Sequence, residues 1–318
     1  MNEKLISYIE NSFLTNLLKD PEITDISFNG VSLFYMHNMR GRKKADFDVS
    51  VEEVTNFVRQ IANLSERQFS FSSPNLNISV GRYRINAVHS SIVRVKDEKS
   101  VSFAIRIASS KLRIRNDGTF MSKEMNDFLL DALSKGKSIV IGGEVGSGKT
   151  ELQKYLISKM KDFTRVIIID DVQELDYLER SPNLDVTCWQ IQPNNPNATI
   201  NELVRVALRS NPDWLIVAES RGKEMNDLIN SVMTGHPIIT TMHVKALEHM
   251  PVRMARMAEI NEISETHEQL LEDIYDHFDV FVYVEREFMK NGAIKRYISS
   301  IGTSEKGKIK KIFERKKS

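Results

Sequence analysis

The hydrophobic pattern changes style about a third of the way along the chain. In the first part, short alternating runs mix with helical stretches. Leu5, Ile9, Phe13, Leu14, Leu17 and Leu18 recur at helical spacing, which predicts an amphipathic helix over residues 1–19. Residues 23–36 alternate apolar and polar around Asn29-Gly30, a hairpin signal. The run Arg40-Gly41-Arg42-Lys43-Lys44 reads as a solvated turn. Ser50, with Glu53 three residues on, has capping-box spacing and predicts a helix over 51–64. Strands follow at 76–80, 82–88 and 102–107. Residues 1–108 therefore predict an α+β domain with an antiparallel sheet. The polar segment 109–122, carrying Asn116-Asp117-Gly118, predicts a linker.

Beyond it the apolar runs become continuous. A helix is predicted over 123–134, then strands at 138–141, 165–169, 184–189, 214–218 and 237–241. Helical patterns at 151–157 and 200–209 and an Asn/Pro turn at 193–197 lie between them. Unbroken apolar strands between helices predict a parallel sheet covered on both faces, so residues 123–318 read as an α/β domain. A late hairpin is predicted from 279–285 and 294–298 around Asn291-Gly292. The basic end, with Lys306, Lys308, Lys310, Lys311, Arg315, Lys316 and Lys317, reads as a solvated tail, or alternatively as an electrostatic contact for anionic lipid or nucleic acid.

Composition narrows the classes. Lys and Arg number 44 against 43 Asp and Glu, so no global field for nucleic acid or membrane is expected. The single cysteine, Cys188, excludes an internal disulfide framework and a cysteine-based zinc cage, and fits a reducing cytosol. The first residues lack the pattern of a signal peptide, and no apolar stretch is long enough to span a bilayer.

The chemistry centres on Gly143-Glu144-Val145-Gly146-Ser147-Gly148-Lys149-Thr150, set between an apolar strand and the helix opening with Glu151. This is the P-loop pattern in its strand–loop–helix context. Its glycines let the backbone wrap round an anion, and the helix N-terminus adds positive potential. Lys149 can reach the β- and γ-phosphates of ATP, and the Thr150 hydroxyl can ligate Mg²⁺. Asp170, Asp171, Glu219 and His243 also fall at or just past strand ends, where ligands of parallel sheets collect. Glu219 is placed to orient or deprotonate water, Glu174 and Asp171 to act on Mg²⁺ or its water, and His243 to sense the γ-phosphate. In the first domain, Arg82 and Arg84 lie two apart on one predicted strand and Arg106 nearly closes another. They are either surface charges or arginine fingers reaching phosphates across a domain interface.

Together these motifs resemble the secretion and pilus-assembly ATPases of type II and type IV secretion systems. Asp170-Asp171-Val172-Gln173-Glu174-Leu175 matches that family's acidic box. Leu208 to Asp213 with Ala218-Glu219-Ser220-Arg221 matches its Walker B region, and Thr234-Gly235-His236 to His243 its histidine box. Upstream, Ile23-Thr24-Asp25-Ile26 and Gly81 to Ala87 look like its N-terminal domain. Asp170 stands where Glu is usual, and Ala218 replaces a Gly. The acidic box and N-terminal domain look more like the conjugation and tight-adherence branch.

The resemblance implies a RecA-like P-loop NTPase domain behind a smaller α+β domain. It implies a homo-hexameric, Mg-ATP-driven motor, cytoplasmic and peripheral at the membrane, working on inner-membrane secretion or pilus platform proteins. Glu219, Glu174, His243 and Arg221 would be catalytic. The P-loop through Glu151, with Arg84 and Arg106, would hold nucleotide, and Thr150 and Asp171 the Mg²⁺. Two alternatives stand beside it. A RecA-like nucleic-acid motor lacks a basic-aromatic stripe to support it, which argues against nucleic acid as a direct ligand. A nucleotide-gated scaffold with little hydrolysis is kept open by Asp170 and Ala218.

Overall fold

The computed structural model describes residues 2–109, 111–115, 117–171, 174–176, 181–192, 195–261, 265–290 and 292–315. Ser110, Asn116, Val172, Gln173, Pro193, Asn194, Asn291, Lys316 and Lys317, all within segments singled out above, lie outside the described residues. The chain forms two compact units: Met1–Ser109 with Phe288–Lys295, and Ser110–Glu287 with Arg296–Ser318.

The first unit opens with α1 (Asn2–Glu10) and α2 (Thr15–Leu18), not one continuous helix over 1–19. Side-chain hydroxyls explain the break. Ser12 Oγ donates to Ile9 O at 2.7 Å, and Thr15 Oγ1 donates to Glu10 O at 2.8 Å and Ser12 O at 2.6 Å. Ile9 O and Ser12 O also accept backbone N–H groups three residues on, from Ser12 and Thr15, in place of the four-residue bonds that would continue the helix, and Leu14 N bonds to Ser12 Oγ. β1 (Ile23–Phe28) and β2 (Leu33–His37) form the hairpin at Asn29-Gly30, where Asn29 Oδ1 accepts from Val31 N and Ser32 N. β3 (Gly41–Lys44) then pairs with β2, so the basic run read as a turn is a strand. It is an exposed edge, where lysines discourage pairing with other chains and hide the alternation.

α3 (Val51–Leu64) starts where Ser50 Oγ accepts from Glu53 N. β4 (Asn75–Val80), β5 (Tyr83–Val88), the short ribbon β6 (Arg94–Val95) and β7 (Glu98–Lys99), and β8 (Ser102–Ile107) complete the unit. The antiparallel sheet runs β3-β2-β1-β8-β5-β4. Phe57 of α3 meets Tyr8, Phe13 and Phe103, and Phe103 meets Phe28, so aromatic rings join helices to sheet. β5 begins at Tyr83, and the Arg82 side chain turns to Tyr83 and Glu10.

The second unit alternates helix and strand: α4 (Lys123–Ser134), β9 (Ile139–Gly143), α5 (Lys149–Ile157), β10 (Arg165–Asp170), β11 (Asp185–Gln190), α6 (Ile200–Leu208), β12 (Trp214–Val217), α7 (Glu224–Met233), β13 (Ile238–Met242), α8 (Met250–Ala258) and α9 (His267–His277). β14 (Val280–Phe288), β15 (Ile294–Glu305) and β16 (Lys308–Glu314) follow. Among the described residues the sheet order is β11-β10-β12-β13-β9-β14-β15-β16, parallel from β11 to β14.

Strand alternation sends neighbouring side chains to opposite faces. Ile139 and Ile141 join Leu152 and Leu156 of α5 in one core; Val140 joins Met225, Leu228 and Met254 of α7 and α8 in the other. Both faces are covered, which is why these strands read as unbroken apolar runs. The basic end is again a strand: β16 pairs antiparallel with β15, and Lys311 is tied to Glu248 and Glu314. No helix among the described residues is long and apolar enough to cross a membrane.

Candidate active site

β9 delivers the chain to Gly143 and the loop returns it as α5 at Lys149. A Cβ on Gly143 would come within 2.3 Å of Val284 O and 2.7 Å of Ser147 Oγ, so no larger residue fits there. Gly148 sits at φ +106 at the helix N-cap and has no capping side chain, which leaves the first N–H groups of α5 available to an anion. Ser147 Oγ is buried within the loop with no hydrogen-bond partner among the described residues, a feature suited to a bound ligand. Lys149 is buried and folds back on the loop, donating to Gly143 O at 3.0 Å and Glu144 O at 2.9 Å. Glu144 and Val145 are exposed; Thr150 is half-buried one residue into α5. Glu151 binds Lys154 Nζ at 3.3 Å and accepts from Arg113 N at 3.0 Å, so it braces the helix.

From Lys149 a line of charged groups crosses the strand ends. Lys149 Nζ is 3.1 Å from His243 Nδ1, beyond β13. His243 Nε2 is 3.0 Å from Glu219 Oε1, beyond β12. Glu219 Oε2 accepts from Arg221 at 2.8 Å, and Arg221 also binds Asp171, beyond β10, at 3.0 Å. The structure thus joins Lys149, His243, Glu219, Arg221 and Asp171. Burial alone would raise the Glu219 carboxyl, but Arg221, His243 and Lys149 hold it below its ordinary 4.5. The hydrogen bond that Arg221 donates to Glu219 and the nearby Asp171 raise Arg221 despite its partial burial.

Several supports lie outside the motifs. Glu224, buried, accepts from the backbone N–H groups of Arg221 and Gly222 and so aims Arg221. Gln153, one turn after Lys149, donates to Val217 O at 3.1 Å and Ile239 O at 3.3 Å, locking α5 to β12 and β13. Arg296 Nε donates to Gly146 O at 2.7 Å from a strand distant in sequence. Only the one-turn spacing of Gln153 from Lys149 was readable beforehand.

The remaining candidates are placed differently. Glu174 is half-buried in the turn after β10, where Asp170 accepts from Leu175 N at 3.2 Å. His236 stands before β13, at the opposite end of that strand from His243, and contacts Thr234. Arg84 and Arg106 belong to the first unit and face one another in register on β5 and β8. Arg106 also binds Asp25 at 3.5 Å. Arg82 is engaged by Tyr83 OH at 3.0 Å and Glu10 at 3.7 Å. Among the described residues no three His, Cys, Asp or Glu side chains form a ready metal cage. A hydroxyl on Thr150 and a carboxylate on Asp171 do suit Mg²⁺, which takes few protein ligands beside phosphate.

The chain is similar to known proteins over most of its length. Residues 80–272 match the family model described as type II/IV secretion system protein. The chain is 27% identical over 271 residues to the type IV secretion system protein VirB11 of Bartonella quintana, covering 72% of this chain and 74% of that one. It is 29% identical over 314 residues to a Bacillus anthracis protein described only as uncharacterised, covering 95% and 70%. The X-ray structure of the Legionella pneumophila ATPase DotB superposes with a TM-score of 0.67 at 19% identity, over 92% of this chain and 81% of that one, which shows the shared fold.

Proposed function

Because the chain belongs to the type II/IV secretion system protein family, we propose that it is a Mg-ATP-hydrolysing motor for type IV secretion, conjugation or pilus assembly. The observation that carries this reading is the unbroken line from the P-loop lysine to the strand-end carboxylates.

Lys149 spends its ammonium on two loop carbonyls and His243. A triphosphate is a stronger acceptor than a carbonyl, because the hydrogen bond is charge-assisted at both ends. Arriving phosphates draw Lys149 forward and loosen its contact with His243. His243 then releases Glu219 Oε1, while Arg221 keeps Glu219 Oε2 fixed. The freed oxygen can accept from water aimed at the γ-phosphate. Since its neighbours depress the Glu219 carboxyl, it is a weak base, and orienting the water is its main task. Thr150, with Asp171, would hold Mg²⁺, which neutralises developing phosphate charge. Loss of the γ-phosphate restores the resting contacts, so the strand-end loops differ between the two states.

We extend the proposal to Arg84 and Arg106. They set two guanidinium groups opposite one another on adjacent strands, with Asp25 at 3.5 Å from Arg106, and guanidinium groups suit phosphate oxygens. A homo-hexameric ring delivering work to an inner-membrane platform, with the chain peripheral at the cytoplasmic face, completes the reading.

The test is steady-state hydrolysis with Mg²⁺ across protein concentration, wild type beside Glu219→Gln. Turnover rising cooperatively with concentration, and falling by roughly 10²–10⁴ in the variant while nucleotide still binds, is expected. Near wild-type turnover in the variant would falsify the role of Glu219. Binding without turnover in both proteins would favour the scaffold alternative.

A further inference from the structure

Two arginines reach the P-loop from the late strands, outside its motif. β14 lies beside β9 with Val284 opposite Gly143. Val280, Val282 and Val284 share the core packed by Leu152 and Leu156 of α5. Strand alternation puts Arg286, the next residue in that row, on the same face, just where the loop folds over. Its Nη1 lies 3.0 Å from the place a Cβ on Gly146 would occupy. Arg296 on β15 grips the same loop, its Nε on Gly146 O at 2.7 Å and its Cδ 3.6 Å from the Cβ position of Gly148.

Arg286 also lines a cleft of about 1020 Å³ with Glu144, Arg221, His243 and the α8 arginines Arg253 and Arg256. The cleft is rich in cationic side chains, and among the described residues Glu144 is its one acidic lining residue. In the reading above Lys149 serves the β- and γ-phosphates, and it touches His243, which lines this same cleft with Arg286.

We propose that Arg286 contacts the terminal phosphate of ATP from within the same unit as the P-loop, and that Arg296 is a positioning residue that holds Gly146. This rests on the ATP-hydrolysis reading above and adds an arginine to it. A guanidinium there meets charge that grows on the γ-phosphoryl oxygens as the bond to the leaving group breaks.

Affinities of the full chain for a non-hydrolysable ATP analogue with Mg²⁺ and for ADP separate the two roles, alongside turnover and thermal melting. Arg286→Ala should lose about tenfold in triphosphate affinity, the size of one charge-assisted hydrogen bond, with ADP affinity within about twofold of wild type. Arg286→Lys should recover part of the loss. Arg296→Ala should weaken both nucleotides alike, because the loop serves both. If Arg286→Ala binds both nucleotides as wild type does, or loses both equally, the assignment is overturned while the ATPase reading stands. If wild type binds neither nucleotide, both fall. Should Arg286→Ala not fold, the same ratio in Arg286→Lys and Arg286→Gln decides, and an unchanged ratio in both overturns the assignment.

Discussion

Two charged clusters, one in each unit, use similar side chains for different ends. In the first unit Tyr83 OH donates to Glu10 at 2.6 Å, Arg82 donates to Tyr83 OH, and the Arg82 guanidinium stacks 5.0 Å from the Tyr83 ring. Among the described residues that cluster is closed: it ties α1 to the start of β5, and beyond it Arg82 reaches only Leu18 O. In the second unit the line from Lys149 to Asp171 is open at one end, on the loop whose backbone suits an anion. The lesson is that partner number does not mark a functional charge. What marks it is whether a ligand can compete for one of the partners.

The comparison can be broken at its strongest point first. Lys149→Ala should abolish nucleotide binding, or turnover by more than roughly 100-fold, with the melting temperature little changed; preserved binding would remove the open end. Arg84→Ala should lower turnover by about tenfold without lowering the melting temperature, as loss of one charge-assisted contact predicts. An unchanged rate would make Arg84 a surface charge. Tyr83→Phe should do the reverse, costing about 0.5–1.5 kcal/mol in chemical denaturation by removing the hydroxyl's hydrogen bonds to half-exposed Glu10 and Arg82, with kcat intact.

The smallest effects are in pH. Tyr83 is buried and bonded to Glu10, which pushes its hydroxyl up to about 12 from 10.0. A raised folded value means stability fully present below 10 and lost as pH rises toward 12. Tyr83→Phe should show a shallower alkaline loss. Glu219 has the opposite sign. Its depressed carboxyl contributes stability above 4.5 that disappears as pH falls through the lower folded value. Wild type should therefore lose stability more steeply in acid than Glu219→Gln, in urea melts at stepped pH. Parallel acid curves would show that the resting ion pairs contribute nothing.

Much of the fold was legible because its cues are local. The continuous apolar strands announced a parallel sheet, and Ser50 marked the start of α3. The misses share a cause. Ser12 and Thr15 broke a helix through side-chain hydrogen bonds that apolar spacing does not register. β3 and β16 looked like solvated basic runs because an edge strand presents its lysines to water. Tyr83 redirected Arg82 by a neighbour contact that a two-residue spacing cannot reveal.

By itself the sequence determined the loop that can wrap a phosphate, the carboxylates at strand ends, and the class of sheet that carries them. Each depends on backbone preference or on hydrophobic period within a few residues. Only the tertiary structure decided that His243 joins Lys149 to Glu219 while His236 stays at the far end of β13. It alone brought Arg286 and Arg296 back to Gly146. Those contacts depend on strand order, and strand order is settled by which buried faces fit together across the whole sheet.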